Sequence, residues 1–229
     1  MKTLGVIGGM GPQASIRFLE LVIQRCIKEF GVVDNNEFPH ILLSNLPAPD
    51  IIANRENEGE ARRMLAEEGR KLEGAGVDFL VMTCNSMHIL SDSCTNAVSI
   101  PFLSIIDTVV NKALTEERKS VGLLGTMTTM TSDLYMAPLQ DAGIEVVIPP
   151  SQERERVVRC ILNVIAGRAS DKDVQALQEI IRGLQEGSAE AVILGCTELP
   201  LLINQSLSEI PVLDSLELLA EASCEEIFR

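Results

Sequence analysis

Three short segments in the first half of this chain recur, in the same order, in the second half. Leu4-Gly-Val-Ile-Gly-Gly-Met10 returns as Val121-Gly-Leu-Leu-Gly-Thr-Met127, Leu80-Val-Met-Thr-Cys84 as Val192-Ile-Leu-Gly-Cys196, and Ile100-Pro-Phe-Leu103 as Ile210-Pro-Val-Leu213. The offsets are 117, 112 and 110 residues, and three collinear matches at so even a spacing mark an internal duplication. Each repeated segment is a short apolar run that ends in glycine or small polar residues, as buried parallel strands do where they enter loops. The expected fold is therefore α/β, with two pseudosymmetric lobes, each a parallel sheet flanked by helices and joined by right-handed crossovers. The expected division is residues 1–98 plus 213–229 for the first lobe and 99–212 for the second.

Within each half the pattern of apolar residues predicts the elements in turn. Leu4 to Ile7 reads as a strand that enters the glycine loop Gly8 to Pro12, with a helix from about Ala14 to Phe30. Strands follow at Phe38 to Leu43 and Val77 to Met82 on either side of a helix over Asn57 to Ala75, and Ile100 to Ile106 reads as a further strand. The second half restarts with a strand at Val121 to Leu124 and a helix over Thr131 to Ala142, then a strand at Glu145 to Ile148. Helices over Val157 to Ala166 and Asp173 to Glu186 lead to a strand at Ala191 to Leu194, and Val212-Leu213 precedes a final helix. Ligands of such sheets bind beyond the carboxyl ends of the strands. Cys84 and Cys196 occupy equivalent strand ends, so a pseudo-twofold relation between the lobes would present their thiols to opposite sides of one cleft, the expected active site.

Composition removes several alternatives. With 33 acidic against 19 basic residues and a net charge of −14, the chain lacks the clustered cations that nucleic-acid or anionic membrane surfaces require. It has no Trp and a single Tyr, so it also lacks aromatic platforms for stacking bases. The N-terminal strand turns into a glycine loop too early to be a signal peptide, and no apolar run is long enough to span a bilayer. A cytoplasmic location follows, where thiols stay reduced. The six cysteines, Cys26, Cys84, Cys94, Cys160, Cys196 and Cys224, contain no C-x-x-C pair and no metal-ligand spacing, so no metal site is expected.

Gly9-Met-Gly-Pro-Gln-Ala14 matches the G-x-G-x-x-G/A form of a dinucleotide loop, with Asp34 about twenty residues on, where a ribose-binding acid would stand. Its repeat, Gly125-Thr126-Met127-Thr128, keeps only one glycine, which favours a tight turn with close backbone approach, lining the substrate, over a phosphate cradle. Cys26, Cys94, Cys160 and Cys224 lie in helical stretches without polar company and read as inert packing. Cys84 and Cys196 each precede small polar residues at an expected helix start, where unpaired N–H groups favour a thiolate. His88, four residues after Cys84, tunes that thiol, donates a proton, or is a satisfied structural histidine, and His40 reads as structural. Glu198, beside Cys196, is either a first-turn helix acid or a partner for a substrate ammonium or a proton network.

Two facing thiols could form a catalytic disulfide, bind a metal, or shuttle protons on opposite faces of one carbon. Proton shuttling uses only groups the chain supplies: one thiolate removes the hydrogen α to a carboxylate, the opposite thiol returns a proton, and the centre is inverted. Stabilising the charge that develops on the carboxylate is the demanding part, and N–H groups at turns with Asn85, Ser86, Thr197 and Glu198 nearby are suited to it.

With these residues the chain resembles the cofactor-independent aspartate/glutamate racemase family, and its aspartate racemases in particular. The resemblance rests on Leu4 to Pro12, Cys84-Asn-Ser-Met-His88, Gly122-Leu-Leu-Gly-Thr126 and Gly195-Cys-Thr-Glu198, which run over nearly the whole chain in order. It implies two-base chemistry through Cys84 and Cys196, no pyridoxal phosphate, no metal and no other cofactor, and a homodimer. It also implies that Met10, Asn85, Ser86, Thr126, Thr197 and Glu198 line the substrate. Some aspartate-specific members carry an arginine and a lysine that hold a substrate carboxylate, where this chain has Ile51 and Ile165, with Arg55 as a possible substitute. The expected function is interconversion of L- and D-aspartate. The alternatives are a racemase of broader specificity or a related thiol-dependent isomerase or decarboxylase. From other classes, a NAD(P)-dependent oxidoreductase or a non-catalytic amino-acid-binding protein remains.

Overall fold

The computed structural model describes residues 1–49 and 56–229. The chain folds into two compact units, Met1–Thr108 together with Leu216–Arg229, and Val109–Ser215. Both units carry a four-stranded parallel sheet flanked by helices, with one strand order used twice.

In the first unit β1 (Leu4–Gly8), β2 (Ile41–Asn45), β3 (Phe79–Met82) and β4 (Phe102–Leu103) lie in the order β2-β1-β3-β4. Every residue of the two central strands β1 and β3 is buried, while the edge strand β4 is half-buried and β2 alternates half-buried residues with the exposed Leu43 and Asn45. That contrast explains why the repeat was visible: central parallel strands are covered on both faces and must be apolar throughout. The helices are α1 (Pro12–Phe30), α2 (Glu58–Gly74), the short α3 (Ser91–Thr95) and α4 (Ile105–Thr115), which carries the boundary between the units. Leu65, Leu72 and Cys94 pack with Ile7, Leu80 and Met82 in one core.

In the second unit β5 (Ser120–Gly125), β6 (Glu145–Val147), β7 (Val192–Gly195) and β8 (Val212–Asp214) lie in the order β6-β5-β7-β8. Again the central pair, β5 and β7, is wholly buried. Its helices are α5 (Met127–Thr131), α6 (Asp133–Asp141), α7 (Ser151–Ile165) and α8 (Asp171–Glu186). Leu177, Ile180 and Leu184 of α8 join Val157 and Ile161 of α7 against Leu124, Val192 and Leu194. The last helix, α9 (Ser215–Phe228), returns to the first unit. There Phe228 stacks on Phe30 with ring centroids 4.2 Å apart, Arg25 pairs with Glu221, and Lys2 pairs with Glu226.

Several boundaries differ from the sequence expectation, each for a local reason. The second strand starts at Ile41 rather than Phe38, because Pro39 has no N–H to give to a ladder. The expected strand over Ile100 to Ile106 is only Phe102–Leu103, and α4 begins at Ile105. The β-branched pair Ile105-Ile106 reads as strand, yet the Ser104 hydroxyl accepts the N–H groups of Ile106 and Asp107, both at 3.2 Å, and starts a helix. The helix expected over Thr131 to Ala142 is split at Ser132, which caps α6, and α7 begins two turns early at Ser151 because its charged first turns hide the apolar period. Among the described residues, no helix is long and apolar enough to cross a membrane.

Candidate active site

Cys84 follows β3 directly after Thr83, and Cys196 follows β7 directly. These strands are equivalent in the two sheets, so each thiol stands at the carboxyl end of a central strand. Both cysteines are buried, at 8% and 7% exposure. The helices after them are not the regular α-helices expected from the sequence. Ser86–Leu90 and Leu199–Leu201 are short 3₁₀ segments, too short to sum a large macrodipole, so a thiolate there would depend on nearby donors rather than on a helix axis.

The turn after β3 is tied down from two sides. Thr83, fully buried, shares a hydrogen bond of 3.0 Å with the hydroxyl of Ser15 in α1. The Ser15 oxygen also accepts the Gly9 N–H at 2.9 Å, which joins the Gly9 loop to the Cys84 turn. Further along, His88 Nδ1 lies 2.7 Å from the Cys84 carbonyl oxygen and Nε2 accepts the Ile105 N–H at 3.2 Å. A carbonyl can only accept and an amide N–H can only donate, so the ring is the neutral Nδ1–H tautomer. Burial holds its pKa down at about 4, against the opposing effect of the Cys84 carbonyl. Of the roles open to His88, tuning the thiol, donating a proton and standing as a satisfied structural histidine, this geometry matches the last.

The turn after β7 is built differently. The Cys196 thiol donates to the Glu198 carboxylate, with Sγ 3.0 Å from Oε2, and the Thr197 hydroxyl donates to the same oxygen at 3.2 Å. Thr197 and Glu198 are both buried. Thr126, at the end of β5, caps α5: its hydroxyl accepts the Thr129 N–H at 3.2 Å and lies 3.0 Å from the Thr129 hydroxyl. Asn85 and Ser86 are buried beside Cys84, and Met10 packs half-buried against the first unit's core. Thus Met10, Cys84, Asn85 and Ser86 gather in the first unit, and Thr126, Cys196, Thr197 and Glu198 in the second. Ile165 ends α7 and is 53% exposed, whereas Ile51 and Arg55 lie outside the described residues.

The glycine loop has a packing cause. Gly9 has φ +92°, and a Cβ there would come within 2.5 Å of the Leu46 backbone nitrogen. Its N–H is already held by Ser15, and Asp34 caps a 3₁₀ turn rather than ending a strand. The first glycine of the G-x-G-x-x-A pattern is therefore explained by the close pass of the chain leaving β2. The other four cysteines are held as thiols: burial raises the pKa of Cys26, and pushes Cys94 and Cys160 to about 11 and Cys224 to about 12. Among the described residues no three His, Cys, Asp or Glu side chains gather as metal ligands would.

Residues 7–223 match the Asp/Glu/Hydantoin racemase family. The chain belongs to that family. As a member it is an amino-acid racemase, an isomerase acting on small amino acids. It is 28% identical, over 96% of both chains, to the broad specificity amino-acid racemase of Bacillus subtilis (strain 168). The crystal structure of an aspartate racemase homologue from Pyrococcus horikoshii OT3 superposes with a TM-score of 0.86 at 30% identity over the whole of both chains. The aspartate racemase of Picrophilus torridus gives 0.85 at 30% identity, over all of this chain and 95% of that one. Beside the residues that the family resemblance marks, Ser15, Thr83 and Thr129 shape the two turns. Sequence alone offers only a weak signal for them, a hydroxyl residue near a repeated strand end.

Proposed function

We propose that the protein interconverts L- and D-aspartate without a cofactor, with Cys84 and Cys196 as its two bases. The observation that carries this reading is the placement of one buried cysteine at the same strand end of two identically ordered sheets. One thiolate takes the α-hydrogen as a proton from one face of the substrate. The other thiol gives its proton to the opposite face, so the carbon is inverted and the two sulfurs end with exchanged protonation states. The reverse reaction then starts from that state. Asn85, Ser86, Thr126 and Thr197 supply hydroxyl and amide donors for the carboxylate as charge builds on it. Glu198, hydrogen-bonded to the Cys196 thiol, receives that proton when Cys196 must act as a base, and Met10 lines the substrate. The same reading has the enzyme act in the cytoplasm as a homodimer, which size-exclusion chromatography with light scattering tests.

A second reading, racemisation of many amino acids, is favoured by the exposed Ile165 at the end of α7 and by the similarity to a broad specificity racemase. One experiment separates the two: chirality-resolved turnover in D2O of L-aspartate, L-glutamate and L-alanine, with deuterium uptake at the α-carbon. Aspartate alone, or at least tenfold ahead, supports the first reading; comparable rates support the second. Cys84→Ala and Cys196→Ala should each lose about 10³-fold or more in both directions, in the range seen when a catalytic nucleophile or base is removed. A folded single variant that still racemises near the wild-type rate overturns the two-base reading.

A further inference from the structure

His88 lies outside the set of residues that the mechanism uses, yet it is buried, at 5% exposure, and both of its ring nitrogens are engaged. Its two partners belong to different parts of the first unit. Nδ1–H donates to the carbonyl of Cys84, the residue after β3, and Nε2 accepts the N–H of Ile105, the first residue of α4. The start of α4 is itself firmly set, because Ser104 takes the next two N–H groups and its carbonyl accepts Thr108 N–H at 3.1 Å. The ring also rests against Phe102 of β4, with centroids 5.6 Å apart. One imidazole therefore ties the Cys84 main chain to an adjacent strand and the helix that follows it.

We propose that His88 is a positioning residue for Cys84: it pins the Cys84 carbonyl through Nδ1–H and anchors that pin to the first turn of α4 through Nε2. The Cys84–Asn85 peptide is planar, so fixing its carbonyl also fixes the direction of the Asn85 N–H on the opposite edge. Rotation of that plane would move both the thiol and its neighbouring donor, and errors of about 1 Å in a reacting group can cost about 100-fold in rate. The Cys196 turn is built otherwise: at the repeat offset of 112 residues His88 maps to Pro200, which carries no ring nitrogen to donate or accept, and Glu198 bonds the thiol directly.

The proposal rests on the two-base reading, and two variants test it. His88→Leu fills the space but removes both hydrogen bonds. His88→Asn keeps a side-chain donor for the Cys84 carbonyl. The expected result is a kcat about 10- to 100-fold lower for His88→Leu with KM changed less than about threefold, and recovery of most of that loss in His88→Asn. The signature that a general loss of stability would not give is directional. With α-deuterated L- and D-substrates, the isotope effect should rise for one enantiomer only, the one from which Cys84 abstracts. Isotope effects raised equally for both enantiomers, or a folded His88→Leu protein within twofold of the wild type, overturn the proposal. So does a His88→Asn protein as slow as His88→Leu when both are folded. If the wild type itself exchanges no amino-acid α-hydrogen, the two-base reading has failed, and alkylation by iodoacetamide read by mass spectrometry still decides the positioning. A rate changed at least fivefold at Cys84 and not at Cys196 supports it, and unchanged rates at both overturn it.

Discussion

The turns after β3 and β7 occupy equivalent places in the repeat and are held by different chemistry. Under the first, Gly8 leaves room for Ser15, whose hydroxyl meets that of Thr83. Under the second, position 195 is glycine, and Thr129 fills the space from the helix side: a Cβ at Gly125 would lie 2.8 Å from the Thr129 methyl, and one at Gly195 3.0 Å from it. The side chain that fills the strand end comes in part from the strand in one unit and from the helix alone in the other. Support for the thiols diverges in the same way. Cys84 is held through its main chain by His88, while Cys196 is bonded through its sulfur to Glu198. Duplication thus preserves the backbone that presents a thiol, and the surrounding side chains are free to specialise the two copies.

That contrast can be broken most sharply at Glu198. Replacing it with Gln keeps the size but removes the charge that accepts the Cys196 proton, and a charge-assisted bond is worth about 1.5–3 kcal/mol. Glu198→Gln should lower kcat about 10- to 100-fold and raise the α-deuterium isotope effect for one enantiomer, the opposite one from His88→Leu. Steady-state assays with both labelled enantiomers check this, and the same enantiomer affected in both variants would erase the asymmetry. A stability comparison comes next. Gly9→Ala meets both a left-handed φ and the Leu46 backbone, so about 3 kcal/mol should be lost. Its repeat-equivalent substitution, Thr126→Gly, removes a cap and should cost about 1 kcal/mol or less, because glycine is itself a fair N-cap. Urea unfolding curves for the two variants measure the difference.

The smallest effect separates the turns by pH. Burial lowers the His88 pKa from 6.5 to about 4, so between those values the unfolded chain binds more protons at this site than the folded one. Stability from this group is therefore full above about pH 6.5 and is lost as pH falls towards 4. Melting temperatures across that window should fall less in His88→Asn than in the wild type. An unchanged slope would mean that the ring is not held neutral.

Much of the architecture was legible from residues close in sequence. The four central strands are continuous apolar runs, and their recurrence announced the duplication, the parallel sheets and the equivalence of Cys84 and Cys196. Where local signals compete, composition misleads: Ile105-Ile106 has the β-branched character of a strand although Ser104 caps the pair into a helix, and the charged start of α7 conceals two helical turns. His88 was legible as a neighbour of Cys84 by spacing, but its role was not, because that depends on the Ile105 N–H arriving from a different strand–helix connection.

By itself, the sequence determined the fold class, the repeat and the pair of cysteines, since apolar periodicity and turn chemistry act over a few residues and survive duplication. Only the tertiary structure decided that the glycine loop is shaped by Leu46, that Ser15 meets Thr83, and that one thiol is served by a histidine and the other by a carboxylate. Those outcomes depend on which loops are brought together at the strand ends. Hydrogen bonds between residues distant in sequence leave no periodic trace in the chain that forms them.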